Sequence, residues 1–372
     1  MTEREAIFAF NMIPSIGFVR LQKLMNDHGG SAVEAYESFP EKLDWEGKSV
    51  SWEKEMERAE SMHVNLVVWG DKNYPARLLD NASPPLALYV VGNPDALSND
   101  GVAMIGTRWA TPYGISTAEK ISSSLARKGW TVFSGLARGI DGASHRGALD
   151  GNGCTVGVLG GALDCFFPVE NRELAREMVA KGGAVVSEFP FGRHPDNMTF
   201  PQRNRIVAAL SRGVVAVECP LKSGTLITCS RAIEMNRSVM AVPGRVGDKA
   251  SAGCLNLIRD GARMVTSAED IIEEITPIGS SSKRLAKLRQ VEGASTKAQV
   301  KDEPPKEDIK KVEAKITIEE SVAMGAIEGE TSIDALVRKT GIPTGKLMPL
   351  LVSLRLKGRV KFLPGNRIVR AP

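Results

Sequence analysis

The chain has 372 residues, of which 42% are hydrophobic and 25% are charged, the composition of an ordinary globular protein. A formal net charge of +4 is compatible with a polyanionic partner but does not require one. No stretch approaches about 18 consecutive apolar residues, and no basic segment leads into a long apolar run at the N-terminus. We therefore expect a soluble cytoplasmic protein with no membrane association.

The cysteines and histidines point to neither disulfides nor a metal site. The five cysteines are odd in number, form no Cys-x-x-Cys pair and mostly lie in or beside apolar runs. Buried free thiols in a reducing compartment explain them better than disulfides or zinc. The four histidines also lack metal-ligand spacing. We expect no metal and no cofactor.

Residues 1–75 show the apolar spacing of helices and are predicted to form an N-terminal helical domain. The segment Ile13-Pro14-Ser15-Ile16-Gly17 lies between two predicted helices. This tight turn resembles a helix-hairpin-helix (SAM-like) element, whose turn amides can face a phosphate. A purely structural helical module is the alternative.

Residues 76–276 alternate short β-rich runs with helical stretches. Apolar strands separated by helices predict an α/β fold with a doubly wound, mostly parallel, Rossmann-like sheet covered on both faces. The predicted strands are Leu86–Val91, Val102–Ile105, Thr131–Phe133, Thr155–Leu159, Ala184–Val186, Val214–Val217 and Val239–Val242.

The C-terminal part is predicted to contain a linker and a small domain. Residues 277–315 are rich in Ser, Lys, Glu and Pro, which predicts a flexible linker. Residues 316–372 then show helices, one with Leu347, Leu350, Leu351 and Leu354 on one stripe, followed by a β-hairpin. This pattern predicts a winged helix, which can bind either duplex DNA or a protein.

Short blocks rich in Gly, Ser, Thr, Asn and Arg follow the predicted strands. A doubly wound sheet binds its ligands at the carboxyl ends of its strands, so a phosphate-rich ligand is the first hypothesis. The candidate nucleic-acid-binding residues are Gly106, Thr107, Arg108, Ser134, Gly135, Arg138, Arg203, Asn204, Arg205, Lys222, Ser223, Gly224 and Thr225.

These residue types suit phosphate binding for different reasons. Arg108 follows a tight turn and offers a planar fork for a phosphate or a base. The segment from Lys222 to Thr225 leads into a predicted helix, where amides and hydroxyls form an anion-binding nest. Arg203 and Arg205 are two residues apart on a helix and are not expected to contact the same phosphate.

Basic residues also outnumber acidic ones from Phe200 to Met264, which indicates a phosphate-binding face or solvated helix surfaces.

Signatures of catalysis and of nucleotide cofactors are missing from the sequence. Gly106 is not part of a Gly-x-Gly-x-x-Gly fingerprint, and the Lys222 block is not a P-loop. Asp141 is interpreted as a helix cap, and His145 as a hydrogen-bonded helix residue. Trp109 is either a base-stacking residue or part of the core. We expect no catalytic residue, and therefore not an enzyme.

The ordered blocks resemble the DNA processing protein A family of bacteria (the DprA/Smf family) over nearly the whole chain. Val169 and the pair Phe166-Phe167 depart from the more usual residues of the family. The blocks that carry the resemblance are Gly-Thr-Arg at 106–108, Ser-Gly-Leu-Ala-Arg-Gly-Ile-Asp at 134–141, Phe-Pro-x-Glu-Asn at 167–171, Ser-Glu-Phe-Pro at 187–190, Phe-Pro-x-Arg-Asn-Arg at 200–205, Ser-Gly-Thr-Leu-Ile-Thr at 223–228 and Val-Pro-Gly at 242–244.

The resemblance implies an extended Rossmann-like domain that binds single-stranded DNA in a positively charged pocket. It also implies a homodimer that protects incoming DNA and loads the RecA recombinase during natural transformation. Arg108 lies where the family places a DNA-contacting arginine. The helical N-terminal domain and the C-terminal winged helix agree with the family as well.

Two other classes of function are left open by the residues. Related Rossmann-like folds include nucleoside-monophosphate phosphoribohydrolases, but the nearest stretch here, residues 222–228, lacks the catalytic glutamate of their signature. A protein-docking scaffold, in which the winged helix binds a partner, is the third class.

Overall fold

The structure is a computed structural model that describes residues 1–40, 42–276, 318–327, 329–342, 347, 350, 351, 354, 359–363 and 367–370. The chain divides into two compact units, Met1–Thr296 and Lys297–Pro372. The predicted linker at 277–315 lies outside the described residues. Within the described ranges, no helix is both long and apolar enough to cross a membrane.

The first unit is built from alternating helices and strands. Its α-helices are α1 (Glu3–Asn11), α2 (Phe18–Asp27), α3 (Ala32–Ser38), α4 (Trp52–Ser61), α5 (Pro112–Arg127), α6 (Ile140–Asp150), α7 (Arg172–Ala180), α8 (Thr199–Leu210), α9 (Gly224–Glu234), α10 (Ala252–Arg259) and α11 (Ala268–Ile275). Its strands are β1 (Asn65–Val68), β2 (Ala87–Gly92), β3 (Gly101–Gly106), β4 (Thr131–Ser134), β5 (Thr155–Val158), β6 (Ala184–Ser187), β7 (Gly213–Glu218), β8 (Ser238–Ala241) and β9 (Arg263–Met264). Short 3-10 helices are Ala76–Asp80, Pro94–Ser98, Leu163–Cys165 and Val169–Asn171.

These strands form one nine-stranded sheet in the order β1-β2-β6-β5-β4-β3-β7-β8-β9. Along this order, neighbouring strands are parallel from β6 through β5, β4, β3, β7 and β8 to β9. At the other edge, β1 pairs antiparallel with β2, and β2 pairs antiparallel with β6. The predicted doubly wound, mostly parallel sheet is therefore confirmed, and each predicted strand is present to within one residue at either end. The sequence prediction missed β1 and β9.

The central strands are buried on both faces because helices cover each side of the sheet. Val132 and Phe133 of β4 are both fully buried, and they belong to different core clusters on opposite faces. One cluster includes Val207 of α8, and the other includes Ile121 of α5. This two-sided burial explains why the strands appear in the sequence as continuous apolar runs.

The N-terminal helices pack on the antiparallel edge of the sheet. Phe8 and Phe10 of α1 are buried in one core with Tyr89 of β2. The prediction that residues 1–75 are helical is wrong for Asn65–Val68, which forms β1 and pairs with β2. This run is short, and β2 provides the hydrogen-bond partners that make it a strand, so local periodicity did not reveal it.

The second unit is a small helical domain with a three-stranded sheet. Its elements are α12 (Ile318–Gly325), β10 (Thr331–Ser332), α13 (Ile333–Thr340), β11 (Val360–Leu363) and β12 (Arg367–Arg370), with strand order β10-β12-β11. Helical residues Leu347, Leu351 and Leu354 are fully buried in its core, as the predicted stripe requires, whereas Leu350 of that stripe is only partly buried. The predicted winged helix is confirmed.

His145 of α6 is a buried neutral residue. Thr155 Oγ1 donates to the carbonyl of Val132 at 2.7 Å, so His145 Nδ1–H donates to that hydroxyl, also at 2.7 Å. Burial, assisted by the charges of Arg203 and Arg146, lowers the pKa of His145 to about 3. The sequence-based interpretation of His145 as a hydrogen-bonded helix residue is confirmed.

This depressed pKa predicts acid destabilisation. The unfolded chain binds a proton at His145 below about pH 6.5, and the folded protein does not, so stability falls as the pH drops from there towards 3. Between about pH 7 and about pH 5.5 we expect this residue to reduce the free energy of unfolding by about 1 kcal/mol. His145→Gln keeps an amide donor but does not titrate. Urea unfolding of both proteins at each pH measures the difference, and parallel pH curves would contradict the assignment.

Candidate nucleic-acid site

A cleft of about 450 Å³ opens at the carboxyl ends of β3, β4 and β7. The strand order reverses here, because the chain goes outward from β3 through β4 to β6 and then returns to β7 on the other side. Ligands of open α/β sheets bind at such a switch point. The predicted residues that line the cleft are Gly106, Thr107, Arg108, Gly135, Arg203, Asn204, Lys222, Ser223, Gly224 and Thr225.

Three predicted site residues lie outside this cleft. Ser134 is fully buried, and its hydroxyl donates to the carbonyl of Met104 at 2.6 Å. Arg138 forms an ion pair with Glu170 and lines a small neighbouring cavity. Arg205 pairs with Glu188 on the side of α8 that faces the N-terminal helices. Each of these side chains therefore has a structural partner instead of facing the cleft.

The turn after β3 presents Arg108 to the cleft. Thr107 is nearly buried, its amide donates to the carbonyl of Glu218 at 2.8 Å, and its hydroxyl accepts the amide of Trp109 at 3.1 Å. Gly139 packs against this turn with φ 72°, and a Cβ there would lie 2.3 Å from the carbonyl oxygen of Thr107. The backbone is thus fixed, and only the side chains of Arg108 and Trp109 are left exposed.

Aromatic rings lie beside the exposed arginine. The guanidinium carbon of Arg108 is 4.6 Å from the ring centroid of Phe200, and the Phe200 ring is 6.4 Å from that of half-exposed Phe167. Trp109 is 86% exposed at the edge of the cleft, which excludes the core position considered from the sequence. Rings and a guanidinium plane of this kind provide stacking surfaces for bases.

Arg203 forms the floor of the cleft. Its side chain is buried, and Nη1 donates to two carbonyls. One belongs to Gly135, directly after β4, and the other to Val158, the last residue of β5. Burial lowers the pKa of Arg203 to about 10, against the opposing charge of Asp141, so the guanidinium stays protonated at neutral pH. Arg203 therefore adds positive potential beneath the cleft while its Nη1 donor is occupied by the scaffold.

The loop between β4 and α6 is held by a buried carboxylate. Asp141 Oδ2 accepts the amides of Gly135 and Ala137 at 3.2 and 3.4 Å. The predicted cap is wrong in detail, because the N-cap position belongs to Gly139 and Asp141 lies inside the first turn. Leu136 has φ 52°, a left-handed conformation that these contacts maintain. Burial raises the pKa of Asp141, and nearby Arg203 opposes the rise.

The N-terminus of α9 forms the opposite wall. Ser223 caps the helix, since its hydroxyl accepts the amide of Thr225 at 3.2 Å. The positive end of the helix dipole therefore lies at the cleft, next to the exposed side chain of Lys222. Helix end and ammonium group both favour an anion at this wall.

Most of the basic residues between Phe200 and Met264 are neutralised locally. In this segment, Lys222, Arg245 and Lys249 are exposed cations without an ion-pair partner among the described residues, and Arg108, outside the segment, is another. The paired arginines are Arg205 with Glu188, Arg212 with Asp100, Arg231 with Glu234, Arg237 with Asp80, Arg259 with Asp260 and Arg263 with Glu273. The basic excess of this segment is therefore concentrated in a few free cations near the carboxyl edge of the sheet.

The N-terminal helices also support the rim. Glu55 of α4 is buried, and its Oε1 accepts the amide of Phe191 at 2.8 Å and the hydroxyl of Tyr89 at 3.1 Å. Burial raises the pKa of Glu55. Phe191 begins the segment that leads to Asn197, which lines the cleft. The N-terminal helices thus hold the loop that carries a rim residue.

Sequence reasoning missed part of the lining. It did not single out Asn197 or the rings of Phe200 and Phe167 as candidate contacts, although both phenylalanines begin blocks that resemble the family. Their position beside prolines in polar blocks was the available signal.

No three His, Cys, Asp or Glu side chains come together as a metal site in the described part of the chain. All five cysteines are free, three of them buried and two half-buried.

Replacement of the floor arginine should destabilise the first unit. Arg203→Met removes the donor to two buried carbonyls and leaves Asp141 without its compensating charge, so we expect a loss of about 3 kcal/mol in the free energy of unfolding. Arg231→Met removes an exposed surface pair and should change it by less than about 1 kcal/mol. Urea unfolding measures both. An Arg203→Met protein as stable as the Arg231→Met control would refute the structural role.

Comparison with known proteins identifies relatives over most of the chain. The family model described as DNA recombination-mediator protein A matches residues 65–276, and the DprA winged helix domain matches residues 324–366. "Protein Smf" of Synechocystis sp. is 37% identical over 322 residues, which cover 81% of this chain and 78% of the relative. "DNA processing protein DprA" of Bacillus subtilis is 40% identical over 213 residues, covering 57% and 71% respectively.

Two solved structures of the same family also match this chain. DNA processing protein A of Streptococcus pneumoniae superposes with a TM-score of 0.60 at 30% identity and covers 74% of this chain and 95% of that one. The Helicobacter pylori protein, whose structure is described as showing a single-stranded DNA binding mode, has a TM-score of 0.51 at 28% identity over 57% of this chain and 96% of that one. The fold, the position of the cleft and these matches together show that the chain belongs to the DNA recombination-mediator protein A family.

Proposed function

We propose that this protein binds single-stranded DNA in the cleft at the ends of β3, β4 and β7. The observation that carries the proposal is the exposed, unpaired guanidinium of Arg108 over the Phe200 ring, 4.6 Å from its centroid. A phosphate would bind between Arg108, Lys222 and the N-terminus of α9. Gly106, Thr107, Gly135, Asn204, Ser223, Gly224 and Thr225 would complete the lining.

Exposed rings favour a single strand over a duplex. Stacking on the exposed Trp109 ring, or on the Arg108 guanidinium that lies over Phe200, needs a base whose face is open, and the bases of a duplex are already stacked on each other. The Helicobacter pylori relative, described as binding single-stranded DNA, supports this preference. Because stacking does not depend on base identity, binding should be largely independent of sequence.

The wider role is a proposal supported by the family match. We propose that the protein acts as a recombination mediator that protects incoming single strands and loads RecA onto them during natural transformation, as a homodimer. The match to the recombination-mediator model supports this role. The domain boundaries at 75/76, 276/277 and 315/316, the cytoplasmic location and the absence of catalysis stay predictions.

An enzyme of the nucleoside-monophosphate phosphoribohydrolase type is not favoured. Such a reaction needs a carboxylate in the cleft, and Asp141 is the carboxylate among the described lining residues. Its Oδ2 accepts two backbone amides and the side chain is buried. Release of free base from AMP by the purified protein would reverse this conclusion.

Replacement of Arg108 should weaken binding of single-stranded DNA. We expect Arg108→Ala to lose about 1–3 kcal/mol of binding free energy, and the slope of log affinity against log salt to fall by about one. Fluorescence anisotropy with a labelled single strand, a duplex competitor and a salt titration measures both. The matched control is Arg176→Ala on α7, an exposed arginine paired with Glu173. Equal losses in both variants, or none in Arg108→Ala, would contradict the assignment.

Removal of residues after 313 tests where DNA binds. Because the cleft lies within the first unit, we expect the truncated protein to keep its affinity for single-stranded DNA. RecA loading is measured on the same preparation. Retained affinity with lost loading would assign partner docking to the winged helix, whereas lost affinity would move the DNA site there and contradict the proposed cleft.

A further inference from the structure

A second cleft, of about 480 Å³, lies at the carboxyl end of β8. It is lined by Thr111 and Tyr113 at the start of α5, and by Pro243, Arg245 and Asp248 in the loop after β8. Strand β8 is the neighbour of β7, so this cleft lies one strand further along the same edge of the sheet. None of the predicted nucleic-acid contacts lies in it.

Tyr113 provides a fixed aromatic surface in this second cleft. The residue is 51% exposed, yet its hydroxyl donates to the carbonyl of Pro243 at 2.8 Å. The hydrogen bond orients the ring before any ligand arrives, so little side-chain freedom is lost when a base stacks on it. A ring that is exposed and already oriented is the kind of stacking platform that single-strand binders use.

The loop after β8 provides a free cation. Arg245 is exposed, and its guanidinium has no hydrogen bond or ion pair with any described residue. Asp248 is the opposing charge, but its Oδ1 accepts the amide of Ala250 at 3.0 Å and so stabilises the loop. Exposed Lys249 follows in the same loop. With the two cations Arg245 and Lys249 against the single carboxylate of Asp248, this loop carries a net positive charge.

One short connection joins the two clefts. In the segment between β3 and α5, Arg108 and Trp109 line the first cleft and Thr111 lines the second. The exposed ring of Trp109 therefore lies on the stretch of chain that separates them. Exposed cations therefore lie on both sides of this connection, and the exposed rings of Trp109 and Tyr113 lie on it and beyond it, as expected of a surface along which a single-stranded DNA runs.

We propose that the second cleft binds the nucleotides that follow those held in the first cleft, with a base on Tyr113 and a phosphate at Arg245. The inference rests on the proposed function and extends it, because it gives the single-stranded DNA a path across the protein. The DNA passes from the cleft beside β3 over Trp109 and towards the end of β8.

The experiment compares two lengths of oligothymidylate, of about 6 and about 16 nucleotides, by fluorescence anisotropy with the full chain. Wild type should bind the longer one more tightly. The double variant Tyr113→Ala/Arg245→Ala should bind the longer strand about tenfold more weakly than wild type and the shorter one unchanged. Tyr113→Phe keeps the ring but loses the hydrogen bond to Pro243 that orients it, so it should weaken binding of the longer strand less than the double variant does. Arg259→Ala, an exposed arginine on α10, is the charge control.

Each other outcome overturns one of the two proposals. If the double variant shows the wild-type dependence on length, or loses affinity for both lengths equally, the second cleft does not hold the strand, while Arg108→Ala still tests the first. If the wild type binds neither oligonucleotide, the proposed function fails, and this inference fails with it. Sedimentation velocity of the double variant completes the test, since a changed oligomeric state would show that this face is an interface between copies of the chain.

Discussion

The chain crosses from β6 back to β7 beside β3, and every feature of the site depends on this reversal of strand order. At a reversal, the connections on either side of β3 leave in opposite directions and open a crevice at the carboxyl edge. Close packing then fixes the walls, because the turn at Thr107 and the N-terminus of α6 touch with no room for a Cβ at Gly139. The cleft is therefore preorganised by the backbone, and few side chains are needed to give it charge.

The two arginines of α8 have structural roles, whereas the exposed cations of the cleft are free to contact a ligand. Arg203 is buried and joins the ends of β4 and β5, whereas Arg205 lies on the opposite side and pairs with Glu188. Both are bound to the scaffold, so exposed contacts to a phosphate backbone are left to Arg108 and Lys222. A buried cation beneath exposed ones strengthens the positive potential without adding a mobile side chain.

The N-terminal helices are part of the same arrangement. Glu55 accepts the amide of Phe191, and Arg58 pairs with Asp164 at 2.8 Å, which itself accepts the amide of Gly192 at 3.0 Å. The loop that ends at the rim of the cleft is thus fixed from α4, far away in sequence. These helices shape the cleft through hydrogen bonds to backbone, a role that the helix-hairpin-helix hypothesis did not include.

The sequence by itself determined the α/β class, the seven central strands, the winged helix and the identity of the blocks around the cleft, because buried parallel strands and glycine-rich turns leave strong local patterns. It did not determine the short strand β1, which pairs with β2 across an intervening connection, or which arginines are free. Arg203, Arg205 and Arg108 are alike in sequence, and only tertiary packing shows that two are bound to scaffold groups and one is exposed. The physical reason is that burial and ion pairing depend on residues brought together by the fold, which local periodicity does not record.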